Sequence, residues 1–289
     1  MKILLTNNHL NTFGGSENWT FTVYSTLKKL GHSVDVFAID VGGVGTQRFG
    51  SVYTTIPNVT YDLVIANHNS CVKIVLEKAK YSKLVMMCHG IIPHLEQPIK
   101  GADRYISISN EIQYHLLLLG YRSDVILNPV DLDVCYPTKE LNETPQKIFA
   151  LCQNINAQEN VKSLGFETEC IPPTRDARLA ISNDTFNEAD ICVGLGRSAY
   201  ESLACGRCVI VYDARGYNGD KYDSIVTREN IGEMLRNNLS GRRFNKKFNA
   251  EKILRGIETL YRPNTEYYRS IAEDYFDAKK IVNQILQWK

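Results

Sequence analysis

Apolar positions along this chain follow two alternating rhythms. Short apolar runs of strand length stand at Lys2–Thr6, Ser33–Ile39, Asp62–Ala66, Lys83–Cys88, Arg104–Ser107 and Asp124–Leu127. Between them the spacing turns helical. Gly14-Gly-Ser-Glu17 opens a helix reaching about Leu30, with Phe21, Tyr24, Leu27 and Leu30 along one face and Gly31 as its stop. A second helix is expected over 70–80. A third begins at Ser109, a good N-cap, runs through an apolar stretch to Leu119 and ends at Gly120. Residues 41–60 hold Gly42, Gly43, Gly45 and Gly50 and read as loop with one weak strand. Strands alternating with helices in this way imply βαβ units and a parallel, doubly wound sheet.

The pattern then restarts. Residues 137–146 are polar and carry Pro137 and Pro145, as a linker would. Strands follow at Lys147–Cys152, Phe166–Ile171, Asp190–Gly194 and Cys208–Tyr212, with helices at 227–238 and 247–261. Last comes an amphipathic stripe of Ile271, Tyr275, Ala278, Val282, Ile285 and Trp288, read as one helix. The expected fold class is therefore α/β, with two doubly wound Rossmann-like domains facing a central cleft. The expected domains are 1–136, 137–268, and a C-terminal helix, 269–289, that crosses between the domains and packs back on the first. Ligands of such sheets bind beyond the carboxyl ends of the strands.

Composition narrows the chemistry. At 289 residues with net charge +1, the chain has no global pull toward nucleic acid or anionic membrane. No apolar run reaches the roughly 18–20 residues that span a bilayer, so no integral membrane segment is expected. Eight cysteines are scattered, several inside apolar strands (Cys88, Cys152, Cys192), and the tightest pair, Cys205 and Cys208, straddles a helix stop. They read as buried free thiols in a reducing, cytoplasmic setting. No Cys/His cluster has ligand spacing, so no metal site is expected.

The most informative stretch is Ala189 to Asp213. An apolar strand leads through Gly194 and Gly196 into a helix carrying Arg197, Ser198, Tyr200 and Glu201; Gly206 stops it, and Val209-Ile-Val-Tyr212 is the next strand. A glycine turn feeding a helix N-terminus favours phosphate, through free amides and the helix dipole. With Glu201 one turn inside for ribose hydroxyls, the segment points to a nucleotide. Asp213 and Arg215, after the next strand, face the same edge and are candidates for further contacts to the nucleotide or for simple turn roles. The basic run from Arg236 to Lys247 reads as a solvated face, or as a patch for a nucleic-acid or phospholipid acceptor.

These motifs resemble the GT-B glycosyltransferases, in particular the large retaining group of the family 4 type. The resemblance rests on Gly14-Gly-Ser-Glu17 after the first strand and on Cys88-His-Gly90 at the end of a later one. It rests also on Val125-Ile-Leu-Asn-Pro-Val-Asp131 followed by Cys135-Tyr-Pro137, and on Glu201-Ser-Leu-Ala-Cys-Gly-Arg-Cys-Val-Ile210. It covers nearly the whole chain in order. Two positions depart from the family pattern. Val193 stands where a first glutamate is usual, eight residues before Glu201, and Leu151 to Ala157 lacks the usual basic pair.

The resemblance implies transfer of a sugar from a nucleotide-diphosphate donor, a UDP-sugar, to an acceptor hydroxyl in glycan biosynthesis, with retention and without metal or other cofactor. The acceptor would be a glycan, a lipid-linked or another hydroxyl compound, or less readily a nucleic acid. His89 and Arg197 would be catalytic. Gly14, Gly15, Gly194, Gly196, Arg197, Ser198, Glu201, Asp213 and Arg215 would bind the donor. His9, His68 and His94 read as structural, with His68 in Asn67-His-Asn69 the strongest of the three, and Glu17 as a helix N-terminal charge or an acceptor contact. Two other readings share the fold: a non-catalytic relative that binds a nucleotide sugar or a partner, and a nucleotide-sugar epimerase. A Rossmann oxidoreductase would need Gly-x-Gly-x-x-Gly after the first strand, which Asn11-Thr-Phe-Gly-Gly-Ser16 does not supply.

Overall fold

Apolar runs too short for helices and buried on both faces become the inner strands of two parallel sheets, described here from a computed structural model covering residues 1–12, 14–151, 154–171 and 181–287. The chain divides into two units, Met1–Pro129 with Ala278 onward, and Val130–Asp277.

Unit 1 begins with β1 (Lys2–His9), α1 (Gly15–Lys29), β2 (Ser33–Asp40), α2 (Gly43–Phe49), β3 (Thr60–Tyr61), β4 (Leu63–Asn67) and α3 (Asn69–Lys78). It continues with β5 (Lys80–Tyr81), β6 (Leu84–Cys88), a 3-10 turn at His94–Glu96, β7 (Arg104–Ser107), α4 (Asn110–Leu118) and β8 (Asp124–Val125). Its main sheet runs β2-β1-β4-β6-β7-β8, parallel throughout, and β3 and β5 form a small separate ladder. Every residue of β4 and β6 is buried, as strands covered on both faces must be. Ser109 caps α4 by accepting from the Ile112 amide.

Two expectations change in this unit. β1 runs on through Asn7, Asn8 and His9 rather than stopping at Thr6, with Asn7 opposite Ala38 and His9 opposite Asp40. The 41–60 segment holds a helix, α2, where loop is expected. Two glycines of the segment are close-approach residues: a Cβ on Gly45 would run into the Leu10 carbonyl, and one on Gly42, just before α2, would lie 2.5 Å from the Asn11 Cβ.

Unit 2 contains β9 (Lys147–Ala150), α5 (Ile155–Lys162), β10 (Glu167–Cys170), α6 (Asn183–Asn187), β11 (Ile191–Gly194), α7 (Arg197–Ala204) and β12 (Cys208–Asp213). β13 (Lys221–Ile225), α8 (Ile231–Leu235), β14 (Lys246–Lys247), α9 (Ala250–Leu260) and α10 (Thr265–Tyr275) follow, and α11 (Ala278–Leu286) returns to unit 1. The sheet order is β10-β9-β11-β12-β13-β14, parallel from β10 to β12, with β13 and β14 added antiparallel. The last two strands escape the apolar pattern. β13 carries a buried aspartate, Asp223, which accepts from the backbone amides of Arg243, Phe244 and Asn245. The basic run thus includes an edge strand, Lys246–Lys247, whose lysines are exposed.

The C-terminal stripe is two helices, not one. α10 packs on α7 and α11 packs on α1. Phe276 and Asp277 between them are drawn out of the helix: Asp277 bridges Val130, and the Val130 amide donates to the Phe276 carbonyl at 2.8 Å. Cys152 and Trp288, each placed in an element by the sequence pattern, lie outside the described residues. The seven described cysteines carry no disulfide. Among the described residues no helix is long and apolar enough to cross a membrane.

Gly206 closes α7 with φ of 71°. A Cβ there would stand 2.9 Å from the Thr265 carbonyl oxygen and 3.2 Å from Pro137. Gly206→Ala is therefore expected to cost about 2 kcal/mol, lowering the midpoint of unit 2 by roughly 4–8 °C. Differential scanning calorimetry checks this, and an unchanged transition contradicts it.

Candidate functional site

In a doubly wound sheet the strand order reverses at one place, and the connections leave in opposite directions there, opening a crevice at the carboxyl ends. In unit 2 that place lies between β9 and β11. β9 connects outward to β10, and β11 connects the other way to β12.

The residues that close β11 are built for a sharp entry into α7. A Cβ on Gly194 would lie 2.6 Å from Ser198 Oγ. That hydroxyl donates to the Leu195 carbonyl (2.9 Å) and accepts from the Leu195 amide (3.2 Å), bracing the turn. Gly196 adopts φ 50°, ψ −123°, a conformation open to glycine. Its amide donates to the Leu239 carbonyl, and Tyr200 Oη donates to Asn238 Oδ1 at 2.5 Å. Arg197 and Glu201 lie one turn apart on α7, their side chains 15% and 19% exposed, with Nε 2.7 Å from Oε1 in an ion pair whose N–H points off the line. Val193 sits inside β11, 2% exposed. The strand-to-helix turn is so short that the eighth residue before Glu201 falls in the core, where a carboxylate has no water.

Beside this turn, Asp213 ends β12 fully buried. Its oxygens accept from the Arg215 amide (3.0 Å), from Arg215 Nε (2.9 and 3.0 Å) and Nη2 (2.5 Å), and from Asn218 Nδ2. Asp213 thus organises its own loop and has no oxygen left over. Arg215 keeps 30% of its side chain exposed and stacks on Tyr217. Asn154 escapes sequence reasoning: its Oδ1 caps α5 and its Nδ2 donates to the Ala214 carbonyl at 2.6 Å, tying α5 to the end of β12.

In unit 1 the reversal lies between β1 and β4, and a network of polar side chains fills it. Asn67, the last residue of β4, donates from Nδ2 to the Thr6 carbonyl (2.9 Å) and to Thr20 Oγ1 (3.2 Å), which fixes its Oδ1 as acceptor. His89, just past β6, donates to that Oδ1 from Nε2 at 2.6 Å. Asn7 Nδ2 also reaches Thr20 Oγ1, at 2.9 Å. Trp19 stands edge-on to His89 with centroids 5.3 Å apart. Asn7 Oδ1 and Trp19 Nε1 are buried without a hydrogen-bond partner among the described residues.

Burial, helped by the nearby His68, pushes His89 down to about 3, so the ring is neutral and its Nδ1 is a lone-pair acceptor. His68 is likewise pushed down to about 4, by burial against an opposing pull from Glu17. It holds a left-handed backbone, φ 69°, uncommon for a side-chain-bearing residue. Its Nδ1 accepts from the Asn8 amide at 3.3 Å.

The two glycines at the start of α1 differ. A Cβ on Gly14 would stand 2.5 Å from Glu17 Oε2, whereas one on Gly15 would meet nothing within 4 Å. The Glu17 carboxylate therefore folds back over Gly14 at the helix N-terminus. It accepts from Thr12 Oγ1 (2.6 Å) and Ser16 Oγ (2.8 Å), and lies 3.1 Å from His9 Nδ1. His94 stands apart on an exposed turn. Among the described residues no group of three or more His, Cys, Asp or Glu is placed to hold a metal ion.

Of the residues singled out in the sequence, Gly194, Gly196, Arg197, Ser198, Glu201, Asp213 and Arg215 gather at the carboxyl edge of unit 2. Gly14, Gly15 and His89 gather at that of unit 1.

No family model matches the chain, and no curated protein matches it in sequence. Solved structures do match in fold. An α-glucosyltransferase in complex with UDP and a 13-mer DNA aligns with a TM-score of 0.62 and 11% identity, over 99% of this chain and 98% of that one. AviGT4, a glycosyltransferase of avilamycin A biosynthesis, aligns at 0.57 and 12%, over 99% and 96%. A putative UDP-N-acetylglucosamine 2-epimerase from Listeria monocytogenes aligns at 0.53 and 12%, over 99% and 94%. The chain has the GT-B fold.

The two histidines give unit 1 a pH dependence. Each binds its proton more weakly when folded (about 3 and about 4) than at the ordinary 6.5. Between those values the unfolded chain holds more protons, so stability falls as pH drops below 6.5, by about 1.4 kcal/mol per pH unit for each ring. Urea titrations from pH 7 to pH 5 are expected to show this loss, and His89→Asn to remove about half of the slope. A flat profile contradicts the buried neutral rings.

Proposed function

We propose that this GT-B protein transfers a sugar from a UDP-sugar to an acceptor hydroxyl, without a metal ion. The observation that carries the reading is the turn from Gly194 into α7. A parallel strand ends at the point of strand reversal, Gly194 makes room for Ser198 and Gly196 takes the sharp turn, and a helix N-terminus follows with Arg197 and Glu201 one turn apart. Helix amides and the Arg197 guanidinium suit a diphosphate. Glu201, at the start of the second turn, suits the two ribose hydroxyls. Stabilising the departing diphosphate with fixed dipoles and one guanidinium is electrostatic catalysis that needs no metal.

Other residues take lesser roles. Ser198 shapes the turn, since its hydroxyl is already engaged with Leu195. Arg215, held by Asp213, offers the donor its exposed part. Neutral His89 accepts or relays a hydrogen bond to the transferred sugar rather than giving up a proton. The acceptor class is a glycan or another hydroxyl compound, and the DNA-bound neighbour makes DNA a sensible member of an acceptor panel. An epimerase of the same fold would convert its nucleotide sugar without an acceptor.

The test is release of UDP from UDP-sugars with and without a panel of hydroxyl acceptors. Acceptor-dependent release is expected. Conversion of the nucleotide sugar with no acceptor present points to the epimerase, and binding without turnover to a non-catalytic relative. By calorimetry, Glu201→Ala is expected to weaken UDP binding about 10- to 100-fold, since hydrogen bonds to a charged group contribute roughly 1.5–3 kcal/mol. Unchanged affinity removes Glu201 from the site.

A further inference from the structure

Two thiols meet where the first segment of unit 2 passes the end of α7. Cys135 lies in a turn closed by its own amide, which donates to the Asp131 carbonyl at 2.9 Å. Cys205 caps the C-terminus of α7. The backbone beside each thiol is pinned to the backbone beside the other. A single nitrogen of Arg269, Nη1, donates to the Cys135 carbonyl and to the Ala204 carbonyl, at 2.7 Å in both cases. Asn183 Oδ1 accepts from the Tyr136 amide (2.9 Å) and from the Cys205 thiol (3.1 Å). A Cβ on Gly206 would stand 3.2 Å from Pro137. Residues 135–137 therefore run alongside residues 204–206, and the Cys135 and Cys205 thiols hydrogen-bond to each other. Such an approach is what a disulfide requires of its two chains.

The two thiols differ in access. Cys205 is fully buried, whereas Cys135 is only half-buried, between the exposed Val134 and Tyr136. The hydrogen bond with Cys135, and then burial, hold the Cys205 proton well above the usual thiol range. A partly open thiol backed by a buried second one is the arrangement of a cysteine that meets an oxidant and a cysteine that resolves the product. The neighbouring thiols are engaged elsewhere. Cys192, in the same apolar cluster, hydrogen-bonds to Ser202, and Cys208 to Tyr268, and both are buried.

We propose that Cys135 and Cys205 are an oxidation site, which a peroxide converts to a reversible disulfide tying residues 131–137 to the end of α7. The Cys135 thiolate attacks one peroxide oxygen and the O–O bond breaks. Hydroxide leaves, takes up a proton and becomes water, and Cys135 is left as the sulfenic acid. The Cys205 sulfur then bonds to the Cys135 sulfur as the S–O bond breaks, and that oxygen leaves as water with the Cys205 proton. In sum the two thiols lose two electrons and two protons, and the peroxide is reduced to two waters. A dithiol reductant reverses the step by thiol–disulfide exchange. The bond closes a loop of about 70 residues, which confines the unfolded chain and stabilises unit 2. It lies at the opposite end of α7 from Gly196 and Arg197, so it stands or falls independently of the donor turn.

The test treats the folded protein with hydrogen peroxide, alkylates the remaining thiols, and reads the digested peptides by mass spectrometry, in wild type, Cys135→Ser and Cys205→Ser. Wild type is expected to give one peptide pair joined through Cys135 and Cys205, which dithiothreitol separates. Cys205→Ser is expected to leave a sulfenic acid on Cys135 that dimedone traps. Calorimetry is expected to show the oxidised wild type melting roughly 5–10 °C above the reduced protein, with no such rise in either variant. Peroxide-treated wild type in which both thiols still alkylate overturns the proposal. So does a disulfide through Cys192 or any other cysteine, a cross-link that forms only in urea, or a cross-linked protein whose midpoint does not rise.

Discussion

A parallel strand pair cannot be closed by a hairpin; the chain must travel back over a face of the sheet before the next strand begins. Both units obey this constraint, and most of what is notable in them follows from it. All parallel strands of a sheet end on one edge, and the covering helices start there. Where the strand order reverses, two helices diverge and leave room. In unit 1 this happens between β1 and β4, in unit 2 between β9 and β11. Polar residues can end an otherwise apolar strand only at that edge, and there they accumulate: Asn7, His9, Asn67 and His89 in one unit, Arg197, Glu201, Asp213 and Arg215 in the other.

The two edges solve the burial of polar groups differently. Unit 1 uses mostly neutral groups beside one buried carboxylate, Glu17, held by Thr12 and Ser16. One amide, Asn67, joins the end of β1, the first turns of α1 and the end of β6, and the two innermost rings shed their protons rather than carry charge into the interior. Unit 2 uses charge matched within short loops: Arg197 with Glu201 across one helical turn, Asp213 with Arg215 and Asn218. An amide-rich edge with two guanidiniums suits a diphosphate, and an edge of amide, hydroxyl and imidazole groups suits a hydroxyl compound. The proposed division between donor and acceptor thus rests on the side chains of each unit taken separately.

Much of this was legible in the sequence because buried parallel strands and glycine stops leave strong local marks. Val209-Ile-Val-Tyr212, Gly194, Gly196 and Gly206 announced β12 and α7 without ambiguity. What escaped notice did so for physical reasons. The polar end of β1 looked like loop because Asn7, Asn8 and His9 break the apolar run, yet Asn7 is fully buried and held by Thr20 instead of by apolar packing. α2 looked like loop because Gly45 and the preceding Gly42 serve close packing against Leu10 and Asn11. β13 was hidden by Asp223, a buried carboxylate satisfied by backbone amides twenty residues on. The break at Phe276 and Asp277 was invisible because the amphipathic period continues across it, and only pairing with Val130 ends the helix. Candidate residues were legible where a motif carried them, as with Arg197 and Glu201. Contacts were not legible where the fold alone brings distant residues together, as with His9 and Glu17, or Asn7, Asn67 and Thr20.

The central claim is that the edge of unit 2 at α7 is where a nucleoside diphosphate binds. Amide hydrogen exchange with and without saturating UDP tests it most directly. Slowed exchange at the turn and first helical residues, Leu195 to Ala199, with the edge of unit 1 unaffected by UDP alone, is the predicted result. Binding of UDP that leaves those amides exchanging at their free rate would contradict it.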